Sequence, residues 1–181
     1  MYTIEDYYAL PEGIRVELID GVFYDMPSPS YVHQMIQGCI FTAIYHYIRE
    51  KKGKCLVFMA PADVQLDCDD KTMVQPDVLI ICDKGKIKER CAMGAPDFVA
   101  EILSDSTRKK DMTVKLRKYK NAGVREYWLI DEKNDSVVVY NFEKNDMPVL
   151  YGFDSKIPVG IYQGDLEIDF AEIKKEVGSL Y

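Results

Sequence analysis

From Val32 to Ile48 apolar residues recur at helical spacing: Val32, Met35, Ile36, Cys39, Ile40, Ala43, Ile44, Tyr47 and Ile48. Apolar side chains at i, i+3, i+4 and i+7 share one face of a helix. The spacing therefore predicts a helix over residues 30–52, entered from the Pro27–Ser30 loop and stopped at Gly53. Its Val32, Ile36, Cys39, Ala43 side should pack on a sheet. Before it, Thr3-Ile4-Glu5-Asp6 has the form of a capping box opening a short helix that Pro11 closes. Arg15–Ile19 and Val22–Met26 flank Asp20-Gly21, the strongest two-residue hairpin signal, because both turn positions need positive φ. After the long helix, strands are expected at 55–60, 62–67 and 77–82, with a turn at Lys84–Lys86. The unbroken apolar run Val78–Ile81 suits a central strand buried on both faces. Phe98–Leu103 is a similar run interrupted by one carboxylate, Glu101. A second helix is predicted over 108–121, with Met112, Leu116 and Tyr119 as its apolar stripe and Gly123 past its end. Glu126–Ile130 and Val137–Tyr140 pair around the turn Lys133–Asp135, and 148–173 alternates weakly as further hairpin strands. The order implies one domain of α/β or α+β class, a mixed sheet with helices.

Composition narrows the class. The chain has 181 residues, 48% hydrophobic and 29% charged, the balance of a globular domain. No apolar run approaches the ~18 residues of a membrane span, and the first residues lack a basic and apolar leader pattern. A cytoplasmic location without membrane association is expected. Five cysteines with no CxxC pair, and only two histidines, argue against a zinc site. The cysteines are expected to be reduced packing residues. The formal charge is −7, which disfavours a non-specific nucleic-acid coat. The charge is uneven, however: Lys84–Lys120 holds eleven basic and five acidic residues, a net +6, leaving −13 for the rest.

Four positions carry candidate chemistry. Glu101 alternates with apolar neighbours on a strand, where a lone buried carboxylate costs several kcal/mol. It must pair with a lysine or arginine, hold a proton, or bind a cation. Asp77 follows Pro76 and opens the Val78–Ile81 run; Pro96-Asp97 opens the next run in the same way, so the dipeptide alone says little. Asp77 and Glu101 are 24 residues apart, room for one strand out and a neighbour back. Two oxygen ligands on adjacent strands suit Mg²⁺, which takes one or two protein carboxylates. Lys115 lies about 45° from the buried direction of its helix, so it either snorkels outward or serves an anion. Glu17 shares a hairpin face with Arg15 and Ile19 and could pair with a surface cation. His33, in the first turn of the long helix, reads first as a structural hydrogen-bonding residue.

Together these residues carry a family resemblance. Glu17-Leu18-Ile19-Asp20-Gly21, His33-Gln34, Pro76-Asp77-Val78, Pro96–Ser104 with Ser106-Thr107, Asp111, Lys115, Tyr119, Ala122-Gly123-Val124 and Glu126-Tyr127-Trp128 closely resemble the Uma-type restriction-endonuclease-like proteins. These belong to the PD-(D/E)xK nuclease superfamily, and the resemblance covers roughly residues 3–175. It implies a restriction-endonuclease-like core with additional antiparallel strands. It implies a Mg²⁺ or Mn²⁺ ion held by Asp77, Glu101 and the Ile102 carbonyl, with Glu17 as a further acid and His33 as an accessory residue. The superfamily lysine should follow Glu101 by two residues, where Leu103 stands; Lys115 is the matching position on the next helix. The implied activity is DNA phosphodiester hydrolysis, with Arg108, Lys109, Lys110 and Lys118 on the nucleic acid. A homodimer is expected, because cutting two strands takes two sites. A nuclease fold kept for binding nucleic acid or protein, and a phosphoesterase acting on RNA or nucleotides, are the competing readings.

Overall fold

The computed structural model describes residues 1–144 and 147–180. The short helix α1 (Ile4–Tyr8) is opened by Thr3, whose capping box with Asp6 forms as expected. Strands β1 (Val16–Ile19) and β2 (Val22–Asp25) pair antiparallel. Asp20 and Gly21 turn them with φ of 51° and 75°, the doubly positive geometry that Asp-Gly tolerates. Helix α2 (Tyr31–Glu50) is capped by the Ser30 side chain. Its fully buried stripe is Val32, Ile36, Ile40, Ile44 and Ile48, whereas Cys39 and Ala43 are only partly buried at the edge of the contact.

The remaining strands are β3 (Leu56–Met59), β4 (Val64–Gln65), β5 (Val78–Ile81), β6 (Ala92–Met93), β7 (Phe98–Ile102), β8 (Glu126–Asp131), β9 (Ser136–Asn141), β10 (Val149–Gly152), β11 (Lys156–Pro158) and β12 (Glu167–Asp169). Six of them form one sheet in the order β10-β9-β8-β7-β5-β3. Only β7 and β8 run parallel in it; α3 (Arg108–Lys110) and α4 (Leu116–Ala122), joined by a π-helical turn over Asp111–Lys115, make the crossover between them. The 62–67 segment is strand only at β4, which pairs parallel with β6. The 148–173 segment supplies β10 as the sheet edge and the β11–β12 hairpin. It also begins α5 (Phe170–Gly178), a helix that the weak alternation hid, capped by Asp169.

Each face of the sheet has its own core. Phe98, Ala100 and Ile102 of β7 face α2 and α5, where Trp128 packs edge-on to Phe98 at 5.3 Å. Val99 and Leu103 face the hairpin and α4, against Tyr119 and Tyr127. Ile36 is completely buried under α2. Ile36→Ala is expected to cost about 2–5 kcal/mol, a calorimetric midpoint lower by about 5–15 °C; an unchanged midpoint would contradict this packing.

Two expectations are corrected. Cys55 and Cys82 are joined in a disulfide, because the register Leu56↔Ile81 places them opposite one another one step further along. Cys39, Cys68 and Cys91 are free. Met112, expected on the buried stripe of the second helix, is 42% exposed. The π turn widens the helix by one residue, and Asp111 and Lys115 face inward instead. No helix among the described residues is long and apolar enough to cross a membrane.

Candidate active site

Strand register brings the two acids together. β5 and β7 are antiparallel with Val78 opposite Ala100, so Asp77 and Glu101 oppose each other one step beyond. Asp77 Oδ2 accepts the Ile102 N–H at 2.7 Å, which ties the carboxylate to the neighbouring strand. The same oxygen lies 3.2 Å from His33 Nε2. One turn later on α2, Gln37 donates to the Asp77 carbonyl at 2.8 Å. Pro96-Asp97 does something else: Asp97 accepts the Cys82 N–H and pairs with Arg125. Only the first Pro-Asp faces the site.

Lys115 is the centre of the arrangement. Its ammonium lies 2.5 Å from Glu101 Oε1, 2.9 Å from Glu17 Oε1 and 3.6 Å from Asp111 Oδ1. Lys110 reaches Glu17 Oε2 at 2.6 Å, and the Gln75 N–H donates to Glu17 Oε1 at 3.0 Å. Tyr119 donates its hydroxyl to Glu101 Oε1 at 2.7 Å. Glu17, Glu101, Asp111 and Lys115 are all buried. With Asp77, His33, Ile102 and Lys110 they line one cavity of about 590 Å³, whose wall also includes the Met26–Ser30 and Ser104–Thr107 segments.

The charges follow from this geometry. Burial alone would raise Glu17, but Lys115 and Lys110 hold it down to about 2. Burial pushes Glu101 up to about 8; it shares Lys115 with two other acids and feels repulsion from Asp77, Asp111 and Glu17. Burial likewise raises Asp111 against the pull of Lys115. Burial disfavours the His33 imidazolium, yet the Asp77 contact outweighs it and raises the histidine. One ammonium cannot neutralise three carboxylates, so an ionised inner cluster carries surplus negative charge.

The donor set fits a divalent cation of the hard, oxygen-seeking kind. The cavity wall carries six carboxyl groups (Glu17, Asp77, Glu101, Asp105, Asp111 and Glu132) and four cationic side chains (Arg15, Lys110, Lys115 and Lys133), a surplus of two negative charges once every carboxyl is ionised. The contacts of Glu101 fall on Oε1 and those of Asp77 on Oδ2, so each carboxylate is steadied through one oxygen and keeps another for a ligand. Among the described residues no three acidic, histidine or cysteine side chains form a ready cage. Mg²⁺ needs none, since it is ordinarily held by one or two carboxylates and keeps several waters.

Glu17, His33, Asp77, Glu101 and Lys115, the site candidates of the sequence, are brought together here; Tyr119 reads from sequence as part of the apolar stripe, and Asp111, Gln37 and Gln75 carry no site role there. Gln37 was visible as a polar residue within the 32/36/40/44 stripe. Asp111 and Tyr119 flank Lys115 at four-residue spacing, a signal that only the π turn makes legible. The four cations expected on nucleic acid are mostly engaged within the chain. Arg108 grips Asp131 through two bonds at 2.5 and 2.8 Å, Lys110 serves Glu17, and Lys118 clamps Asp20 and Asp67. Lys109 has no ion pair among the described residues and lies on the exposed side.

Comparison with known proteins agrees with this fold. No curated protein sequence matches the chain. A solved structure described as a putative nuclease belonging to DUF820 from Anabaena variabilis ATCC 29413 superposes with a TM-score of 0.80. It shares 20% identity and covers 98% of this chain and 99% of its own, a likeness of fold. The model of the Uma2 family, described as "Putative restriction endonuclease", matches residues 4–157, and the chain belongs to that family.

Proposed function

We propose that the protein is a divalent-cation-dependent endonuclease that hydrolyses DNA phosphodiester bonds, acting as a homodimer in the cytoplasm with no membrane role. The observation that carries the reading is Asp77 opposite Glu101 on antiparallel strands, with Lys115 delivered to Glu101 from the following helix. Asp77 and Glu101 would hold Mg²⁺ or Mn²⁺ with the Ile102 carbonyl. When bound, such an ion supplies Lewis-acid polarisation of a phosphoryl oxygen and a lowered pKa for water.

The chain's own groups do the rest. Lys115 fixes Glu101 and Glu17 and presents positive charge to the cavity, where it offsets charge building on the phosphate oxygens. Lys110 holds Glu17 in place, His33 and the Ile102 N–H hold Asp77, and Tyr119 holds Glu101. Arg108, Lys109, Lys110 and Lys118 remain the candidates for backbone phosphates. Lys109 is the first to test, because the other three must release a carboxylate to reach one.

Plasmid cleavage with Mg²⁺ or Mn²⁺, comparing the wild type with Asp77→Asn, tests the reading. The substitution keeps shape and removes charge, so cleavage is expected to fall by ~10²-fold or more while the fold is retained. Equal cleavage by both proteins would refute the assignment of Asp77. Hydrolysis of RNA or nucleotides in place of DNA would move the activity to the phosphoesterase reading. Nucleic-acid binding with no hydrolysis of any substrate would mark the fold as a binding module.

A further inference from the structure

Three of the four cations in the cavity wall are committed within the chain. Lys110 and Lys115 hold Glu17, and Lys133 pairs with Asp105 at 2.6 Å. Arg15 is the exception. It lines the same cavity, yet among the described residues its guanidinium has neither an ion pair nor a hydrogen bond, and the residue is exposed. It is the one positive charge in the wall that no adjacent carboxylate already answers.

Its backbone is fixed although its side chain is free. The Arg15 carbonyl accepts the Met26 N–H at 2.9 Å, which carries the β1–β2 ladder one step past the Val16↔Asp25 pair. Arg15 therefore stands in strand phase with Glu17. Successive side chains of a strand alternate between faces, so the two project to the same side, with Cα atoms about 7 Å apart at the usual strand rise. Glu17 is fully buried within the carboxylate cluster, and exposed Arg15 marks the mouth of the cavity on the same wall.

We propose that Arg15 binds the phosphate next to the scissile one, at the mouth of the cavity, and so draws the nucleic-acid backbone past Glu17 toward Asp77 and Glu101. The assignment rests on the nuclease reading above and adds to it a residue that holds the substrate. A guanidinium presents its donors in a planar fork that matches two phosphate oxygens. Lys110 and Lys118 must leave a carboxylate to make such a contact; Arg15 gives up no partner.

Two measurements test it: cleavage kinetics with Mg²⁺, and DNA binding in an Asp77→Asn background, where the DNA survives the measurement. Arg15→Gln should raise KM about tenfold, the scale of one hydrogen bond to a charged group. It should leave kcat unchanged, because the charge of the neighbouring phosphate is the same in substrate and transition state. The slope of log affinity against log salt should become shallower by about 0.9, the contribution of one phosphate contact. Arg15→Lys should restore that slope, which depends on charge, and recover only part of the KM, because the fork is lost. An arginine of merely structural value would leave the salt slope where it is. The Mg²⁺-induced rise in melting temperature should be the same in both variants as in the wild type. Wild-type KM and wild-type slope in Arg15→Gln would overturn the assignment and leave the cleavage reading intact, as would a loss of kcat at constant KM. A wild type that binds DNA without cutting it would remove the cleavage reading, and the salt slope of Arg15→Gln would still decide the contact. A wild type that neither binds nor cuts nucleic acid would remove both.

Discussion

Replacing Lys115 by methionine is expected to cost about 3–5 kcal/mol of stability, the scale for breaking a buried ion pair from one side. Methionine keeps most of the stem and removes the charge, leaving Glu17, Glu101 and Asp111 facing one another in a buried space. The loss should depend on pH with a definite sign. In the wild type Glu17 sits at about 2, below its unfolded value, so it stabilises above that value and its contribution is lost as acid approaches 2. Without the ammonium Glu17 loses its main counter-charge and rises, and Glu101 and Asp111, already above their unfolded values, rise further. Their folded state is then favoured in acid and weakens as pH climbs, so Lys115→Met should lie closest to wild type near pH 5 and furthest from it near pH 8. Cleavage by the variant should fall by ~10²-fold or more. Thermal melts across that range and a cleavage assay at a temperature where the variant is folded check both parts. A variant with wild-type melting and wild-type cleavage would remove Lys115 from the mechanism.

Divalent cations are expected to stabilise the protein strongly at alkaline pH and weakly in mild acid. Glu101 keeps its proton up to about 8, so a cation must compete with that proton, and its apparent affinity should drop about tenfold per pH unit below that point. At a concentration of 100 times the dissociation constant, ligation contributes about 2.7 kcal/mol. Without a cation the sign reverses. A carboxyl raised in the folded state favours folding below its unfolded value, so this contribution disappears between about pH 4.5 and 8. Melting curves with Mg²⁺, Mn²⁺ and chelator from pH 5 to 9 measure this directly, with Asp77→Asn as the control for the site. A cation effect of the same size at every pH, or one that survives Asp77→Asn, would detach it from Glu101 and Asp77.

The parts of this molecule that could be read in advance are those set by local rules. Asp20-Gly21 demands its turn wherever it occurs, and the apolar stripe of α2 needs only a surface to cover. Asp77 and Glu101 stood out because each interrupts or opens an apolar run where an unsatisfied charge is costly. The disulfide, the exposure of Met112 and the pairing of Lys118 with Asp20 and Asp67 depend on contacts between distant segments, and no local pattern encodes those. α5 escaped notice because its buried residues, Phe170 and Ile173, are too few to make a helical period stand out.

The π turn makes residue count itself a condition of the site. In a regular α-helix, steps of four residues drift by about 40° each, so Asp111, Lys115 and Tyr119 would fan apart. The wider turn over Asp111–Lys115 removes part of that drift and aims all three at the same carboxylate cluster. Thr113 sits inside the turn with an exposed side chain whose hydroxyl caps the Lys109 carbonyl at 2.5 Å. Most substitutions there should be tolerated, since nothing in the cavity touches it. Deleting it should not be, because the helix would fall back to α phase and swing the ammonium away from its acids. In this segment spacing is inherited as strictly as chemistry, and a residue with no part in the reaction holds its place by being counted.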